Sequence, residues 1–153
     1  MVKERVDLKE LLQQCHEIFS MHAEEKGIKL KTEIEPLPPV IGDIDRLEQV
    51  FSNLLDNALK HTPSGGDVTI IARHAITNFA EISITDTGPG IPAEQMRHVF
   101  ERFYRADPNA GKAGAGLGLA IARQIVLAHG GDIIAKSKLG KGTEFVVKLP
   151  VQP

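Results

Sequence analysis

The chain has 153 residues, 42% of them hydrophobic and 25% charged, with a formal net charge of −2. That is about one domain's worth of sequence with enough apolar material for a real core, and its charge offers no electrostatic case for nucleic acid or an anionic membrane surface. A single cysteine, Cys15, excludes an internal disulfide and fits a reducing compartment. Met1 leads into the charged stretch VKERVDLKE rather than a signal peptide. No apolar run approaches the roughly 20 residues of a membrane span, so the chain reads as cytosolic or as a cytosolic piece of something larger. Residues 7–27 read as an amphipathic helix, with Asp7 placed to cap it, Glu10 at the acidic capping-box position and Gly27 at its end. IKLKTEI alternates as a strand, and the prolines of PLPP make a rigid connection. A second helix is predicted over residues 43–61, followed by the turn TPSGG. DVTIIARHAI and FAEISITD form a hairpin around Thr77-Asn78. A turn-rich loop, DTGPGIP, precedes a short helix in PAEQMRHVF with proline in its first turn. A Gly/Ala-rich loop then runs into the helix of GLGLAIARQIVLA, which ends at His129-Gly-Gly. GDIIAKSK and GTEFVVKLP close the chain as two strands around LGKG. This order predicts an α+β fold, one mixed or antiparallel sheet with helices on one face, and no linker that divides the chain.

The second helix carries an unusual polar stripe. At 100° per residue, Leu47, Val50, Phe51, Leu54, Leu55 and Ala58 share one broad core face. Gln49, Asn53, Asn57 and Lys60 fall on a separate stripe, with His61 just beyond. A solvated face is one explanation. Yet solvated faces favour Glu, Lys and Arg, and asparagine costs a helix roughly half a kcal/mol against alanine. Two asparagine amides at i and i+4 are neutral, hard oxygen ligands, suited to a Mg²⁺ that keeps its waters and phosphates, and Lys60 adds a point charge nearby. Asp86 ends a strand just before a glycine turn. It is either a turn residue bonding its own backbone or an ionised acceptor for a ligand's donor, such as the amino group of adenine, that would reject a keto group. Gly114, Gly116 and Gly118 run into a helix start, where bare N–H groups and the positive helix end favour an anion and missing side chains permit close approach. The run is neither a P-loop nor the dinucleotide fingerprint.

NLLDNALKH, DTGPGIP, FERFYR and GAGLGLAIA occur in that order, with spacings like those of the N, G1, F and G2 boxes. The chain resembles the ATP-binding catalytic domain of sensor histidine kinases, in the PhoR- and WalK-like class, over nearly its whole length. The resemblance implies a two-layer α/β sandwich (the Bergerat ATP-binding fold), with a mixed sheet of about five main strands on three helices. It implies ATP as ligand, ADP as product and Mg²⁺ as metal. Carried over by motif, Asn57 is the Mg²⁺ ligand, with Asn53 beside the metal and phosphates. Lys60 contacts phosphate, and His61 stands where the family often has tyrosine. Asp86 accepts from the adenine amine, with Gly88 and Gly90 shaping that wall. Arg105 matches the arginine that reaches the γ-phosphate, while Phe100 and Phe103 anchor the lid and the partner-domain surface. Residues 106–115 form the ATP lid. Gly114, Ala115, Gly116, Leu117 and Gly118 wrap the phosphates, with Ala115 in place of a common threonine or serine.

In the chaperone-like ATPases of the wider group, a glutamate four residues before the metal asparagine activates water. Here that position is Asn53, and an amide is no general base near neutral pH. The expectation is slow hydrolysis and a γ-phosphate kept for a protein acceptor, transferred by positioning and charge neutralisation through Asn53, Lys60 and Arg105. The acceptor histidine belongs on a helical hairpin. His16-Glu17 lies in the domain's own first helix and lacks the Arg-Thr-Pro sequel, and His22, His74, His98 and His129 read as surface or helix-end residues. The chain therefore reads as one catalytic domain, residues 1–153, without its dimerisation and phosphoacceptor domain, unable to autophosphorylate alone. The expected setting is the cytoplasmic part of a membrane-bound sensor in a two-component system. The domain itself is expected to be monomeric, its parent a homodimer, and its response regulator an indirect partner. An anti-sigma-factor-like serine kinase and a catalytically silent regulatory module are the competing readings.

Overall fold

The computed structural model describes residues 1–75, 78–101 and 118–152. The elements in chain order are β1 (Glu4–Val6), α1 (Leu8–Glu25), β2 (Lys29–Ile34), β3 (Val40–Gly42), α2 (Ile44–His61), β4 (Asp67–His74), β5 (Phe79–Asp86), α3 (Ala93–Met96), α4 (Gly118–Ala128), β6 (Asp132–Lys138) and β7 (Gly142–Pro150). The expected α+β sandwich is present. Five strands in the order β2-β4-β5-β7-β6 make one sheet. The β4–β5, β5–β7 and β6–β7 pairs are antiparallel and β2–β4 is parallel, so the sheet is mixed. A parallel pair needs a long crossover, and the segment containing α2 supplies it.

Alternation along the strands builds the inner layer. Val68, Ile70 and Ala72 of β4 meet Ala80, Ile82 and Ile84 of β5 and Phe145, Val147 and Leu149 of β7, all on one face and all buried. Charged residues take the other face, where Arg73 pairs with Glu81 at 3.2 Å. Helices α1, α2 and α4 cover the apolar face, α2 at the centre between the other two. Leu47, Val50, Phe51, Leu54, Leu55 and Ala58 are all buried, the face that the helical period predicts.

Local chemistry sets the helix ends. The Asp7 carboxylate accepts from the Glu10 N–H at 3.2 Å, and the chain leaves α1 through Gly27 at φ 73°. Asp43 caps α2 by accepting from the N–H groups of Asp45 and Arg46. Two features depart from the sequence reading. β1 and β3 form a separate antiparallel two-stranded sheet that periodicity cannot signal, because each has only three residues. Helix α3 ends at Met96, with Pro92 as its cap residue rather than inside the first turn. Among the described residues no helix is long and apolar enough to cross a membrane.

Candidate functional site

The site forms where the C-terminal half of α2 faces the end of β5. Asp86 shares the inward face with Ile82 and Ile84 by simple alternation, but stands at the strand's last position. It is buried at 3% exposure. Its Oδ1 accepts from the Gly88 N–H at 2.9 Å and the Thr143 N–H at 3.2 Å. Both bonds fall on Oδ1. Burial pushes the Asp86 carboxyl above its ordinary range, while the Gly88 and Thr143 N–H groups and the nearby His61 charge oppose that shift. The turn-residue reading of Asp86 is thus right about Gly88, yet incomplete: Thr143 lies 57 residues further along the chain.

Gly88 and Gly90 have structural reasons to be glycine. A Cβ on Gly88 would sit 2.5 Å from the His61 carbonyl oxygen, so the turn after β5 closes directly onto the last turn of α2. Gly90 has φ +80°, and a Cβ there would strike the Lys138 carbonyl. Between α2 and this turn lies an open cleft of about 490 Å³, whose walls include Lys60, His61, Thr62, Gly88 and Pro89.

Along α2, Asn53 and Asn57 are half-buried rather than fully solvated. The Asn53 amide nitrogen donates to the Gly118 carbonyl at 3.0 Å, which binds α2 to the first described turn of α4 and turns the amide oxygen away from that contact. Lys60 pairs with Asp56 at 3.1 Å, with both side chains a third or more exposed. Such a pair is worth under about 1 kcal/mol, so the ammonium can exchange Asp56 for a stronger anion. Among the described residues no three His, Cys, Asp or Glu side chains gather as a metal group. Two neutral amides such as those of Asn53 and Asn57 would suit a Mg²⁺ drawing its other ligands from phosphate and water, not a closed protein cage. Phe100 packs edge-on against Phe145 at 6.0 Å between ring centroids and so anchors the chain just before residue 102. Phe103, Arg105, Gly114, Ala115, Gly116, Leu117 and the lid at 106–115 lie outside the described residues.

The structure also shows residues that the sequence reading passed over. Thr143 supports Asp86 through its backbone, and Ser137 bonds Thr143 in turn at 2.9 Å. The regular spacing of Ser137 and Thr143 around LGKG was the available signal, since it places them opposite one another in a hairpin. His129 ends α4 as expected, but it is buried. Its Nδ1 donates to the Ile125 carbonyl at 2.8 Å, and its Nε2 accepts from the Asp43 N–H at 3.0 Å. His16 lies on α1 with Nε2 at 3.0 Å from the Leu30 carbonyl.

The family model described as "Histidine kinase-, DNA gyrase B-, and HSP90-like ATPase" matches residues 42–153, and the chain belongs to that family. Sensor kinases are among its relatives. The adaptive-response sensory kinase SasA of Thermosynechococcus vestitus is 43% identical over 148 residues, which cover 96% of this chain and 39% of the relative. The mycobacterial sensor histidine kinase MprB superposes with a TM-score of 0.84 at 36% identity, covering 99% of both chains. Full-length ShkA in complex with AMPPNP superposes at 0.88 with 36% identity, covering 98% of this chain and 31% of that one. This chain is a histidine-kinase catalytic domain. It spans about two fifths of the length of the SasA relative.

Proposed function

We propose that this domain binds Mg²⁺-ATP between α2 and the turn after β5 and donates the γ-phosphoryl group to a histidine on a dimerisation domain outside this chain. The observation that carries the reading is Asp86: a buried carboxylate whose Oδ1 is locked by two backbone N–H groups, so that Oδ2 would be the oxygen to take a ligand's donor. The adenine amine supplies such a donor, whereas the guanine keto group would set acceptor against acceptor. Asn57 and the Asn53 amide oxygen would hold the metal, which when bound would neutralise charge on the phosphates. Lys60 would leave Asp56 for phosphate. Arg105, Gly114, Ala115, Gly116, Leu117 and Gly118 would complete the phosphate side, and residues 106–115 would cover it. Asn53 accepts no proton near neutral pH, so the position four residues before Asn57 supplies no general base for water. This favours transfer to a protein acceptor over hydrolysis.

Calorimetric titration of the purified chain tests this, with ATP and GTP, with and without Mg²⁺, and with Asp86→Asn. Binding of ATP but not GTP, strengthened by Mg²⁺ and lost in Asp86→Asn, is the expected result. Folded protein that binds neither nucleotide would leave the fold without the chemistry assigned to Asn57, Lys60 and Asp86. Radiolabel from ATP is expected to appear on histidine only when a phosphoacceptor hairpin is supplied in trans. Label on a histidine of the isolated chain would overturn that division of labour.

A further inference from the structure

Val68, Asp86, Thr143 and Ser137 form one continuous row across β4, β5, β7 and β6, since the register pairs Val68 with Asp86, Asp86 with Thr143, and Thr143 with Ser137. Alternation turns the whole row toward the helix layer. Ser137 stands at the end of this row and makes three hydrogen bonds. Its hydroxyl donates to the Gly142 carbonyl at 3.0 Å. Having spent its only proton there, it accepts from the Thr143 hydroxyl at 2.9 Å and from the Ile91 N–H at 2.7 Å. One oxygen therefore joins the strand that supports Asp86 to the far end of the turn that follows Asp86. Two further contacts lie alongside. The Gly140 N–H donates to the Pro89 carbonyl at 2.8 Å, and Gly90 lies against the Lys138 backbone with no room for a Cβ.

We infer that Ser137 is a positioning residue for base recognition: it locks the Gly88–Gly90 turn and Thr143 together, so that Asp86 Oδ2 is held at one place and in one direction. The inference rests on the nucleotide reading above. Ser137 touches no ligand itself. Its role follows from the way a hydrogen-bonded acceptor discriminates between ligands, since a carboxylate free to tilt would tolerate a mismatched base edge that a fixed one rejects.

The test compares ATP and GTP dissociation constants and melting temperatures of the chain and four variants: Ser137→Ala, Ser137→Cys, Asp86→Asn and Leu12→Ala. Leu12 is fully buried on α1, which packs mainly on β2 and α2 rather than on β5, β6 or β7, so it reports what lowered stability alone does. Ser137→Ala is expected to weaken ATP binding by about tenfold, the scale of one lost hydrogen bond, and to narrow the gap between ATP and GTP. Leu12→Ala is expected to melt lower with both constants unchanged. Wild-type affinity and an unaltered ATP:GTP ratio in Ser137→Ala would overturn the inference, as would the same narrowing in Leu12→Ala. Should Ser137→Ala not fold, Ser137→Cys decides by the same two readouts, because a thiol keeps the volume with weaker hydrogen bonds. The Asp86→Asn arm separates the two levels. Selective ATP binding that it abolishes upholds the nucleotide reading whatever Ser137 does, whereas wild-type protein that binds neither nucleotide overturns both.

Discussion

Asp86 shows how one residue can weaken the fold and serve its site. Its carboxyl titrates above the ordinary value of 3.8 because burial disfavours the anion more than two N–H groups and the His61 charge favour it. The folded state then holds this proton more tightly than the unfolded chain does. The contribution of Asp86 to stability is fully present below 3.8 and declines as the pH rises through the raised folded value. Asp86→Asn keeps an acceptor for Gly88 and Thr143 and removes the buried charge. At pH 7 the variant is expected to be at least as stable as wild type in urea while losing ATP selectivity. A large loss of stability there would show that the charge itself supports the fold. Cys15 makes the opposite case of a buried group held inert. Burial and the Glu48 charge push its thiol up to about 11, against the hydrogen bond with Ser52. A thiolate-specific reagent at pH 7 should leave it unmodified in native protein and label it rapidly in denaturant.

At the scale of the elements, two side-chain hydrogen bonds among the described residues tie α4 to the α2 segment, one at each end of α4. Asn53 bonds the Gly118 carbonyl beside the site. At the other end His129, ending α4, accepts from the Asp43 N–H that opens α2. Its two ring nitrogens are both committed, which fixes the neutral tautomer with the proton on Nδ1. Gly42 makes the approach possible, since a Cβ there would lie 2.6 Å from the imidazole. His129→Ala orphans the Asp43 N–H and should cost about 1–3 kcal/mol by urea unfolding. Asn53→Asp would set a carboxylate against the Gly118 carbonyl. It is expected to loosen the start of α4 against α2, seen as faster amide exchange in residues 122–125, whose N–H groups bond back to the first turn of the helix. Unchanged exchange there would mean that helix packing alone holds this end.

The whole molecule is a single core shared by the sheet and three helices, and its centre is α2. Phe51 is fully buried on the same helix that carries Asn53 and Asn57 two and six positions further on. Phe51→Ala should cost about 3–5 kcal/mol, measured by chemical unfolding, and should weaken nucleotide binding only as far as it depopulates the fold. That coupling explains why the site tolerates costly residues, such as mid-helix asparagines and a buried carboxylate. The helix is held by its apolar face, so its polar stripe is free to be chosen for chemistry.

How much was legible before folding differs by kind of interaction. Local and periodic features could be read directly. The α2 core face, the hairpins, the cap at Asp7, the exit at Gly27 and the place of Asp86 at a strand end all follow from spacings of two or 3.6 residues, from turn residues and from side chains that reach their own backbone. Four ordered motifs carried the family in the same way. The features that escaped join residues far apart in the chain. The three-residue strands β1 and β3 exist because they pair with one another. His129 needs Asp43, and Thr143 and Ser137 matter to Asp86 only because the register of β5, β7 and β6 sets them side by side. Sequence by itself determined which side chains this protein can offer and on which face of each element they stand. Tertiary structure alone decided which of them meet, because hydrogen bonds between distant segments form only after burial of the apolar faces has brought the backbones together.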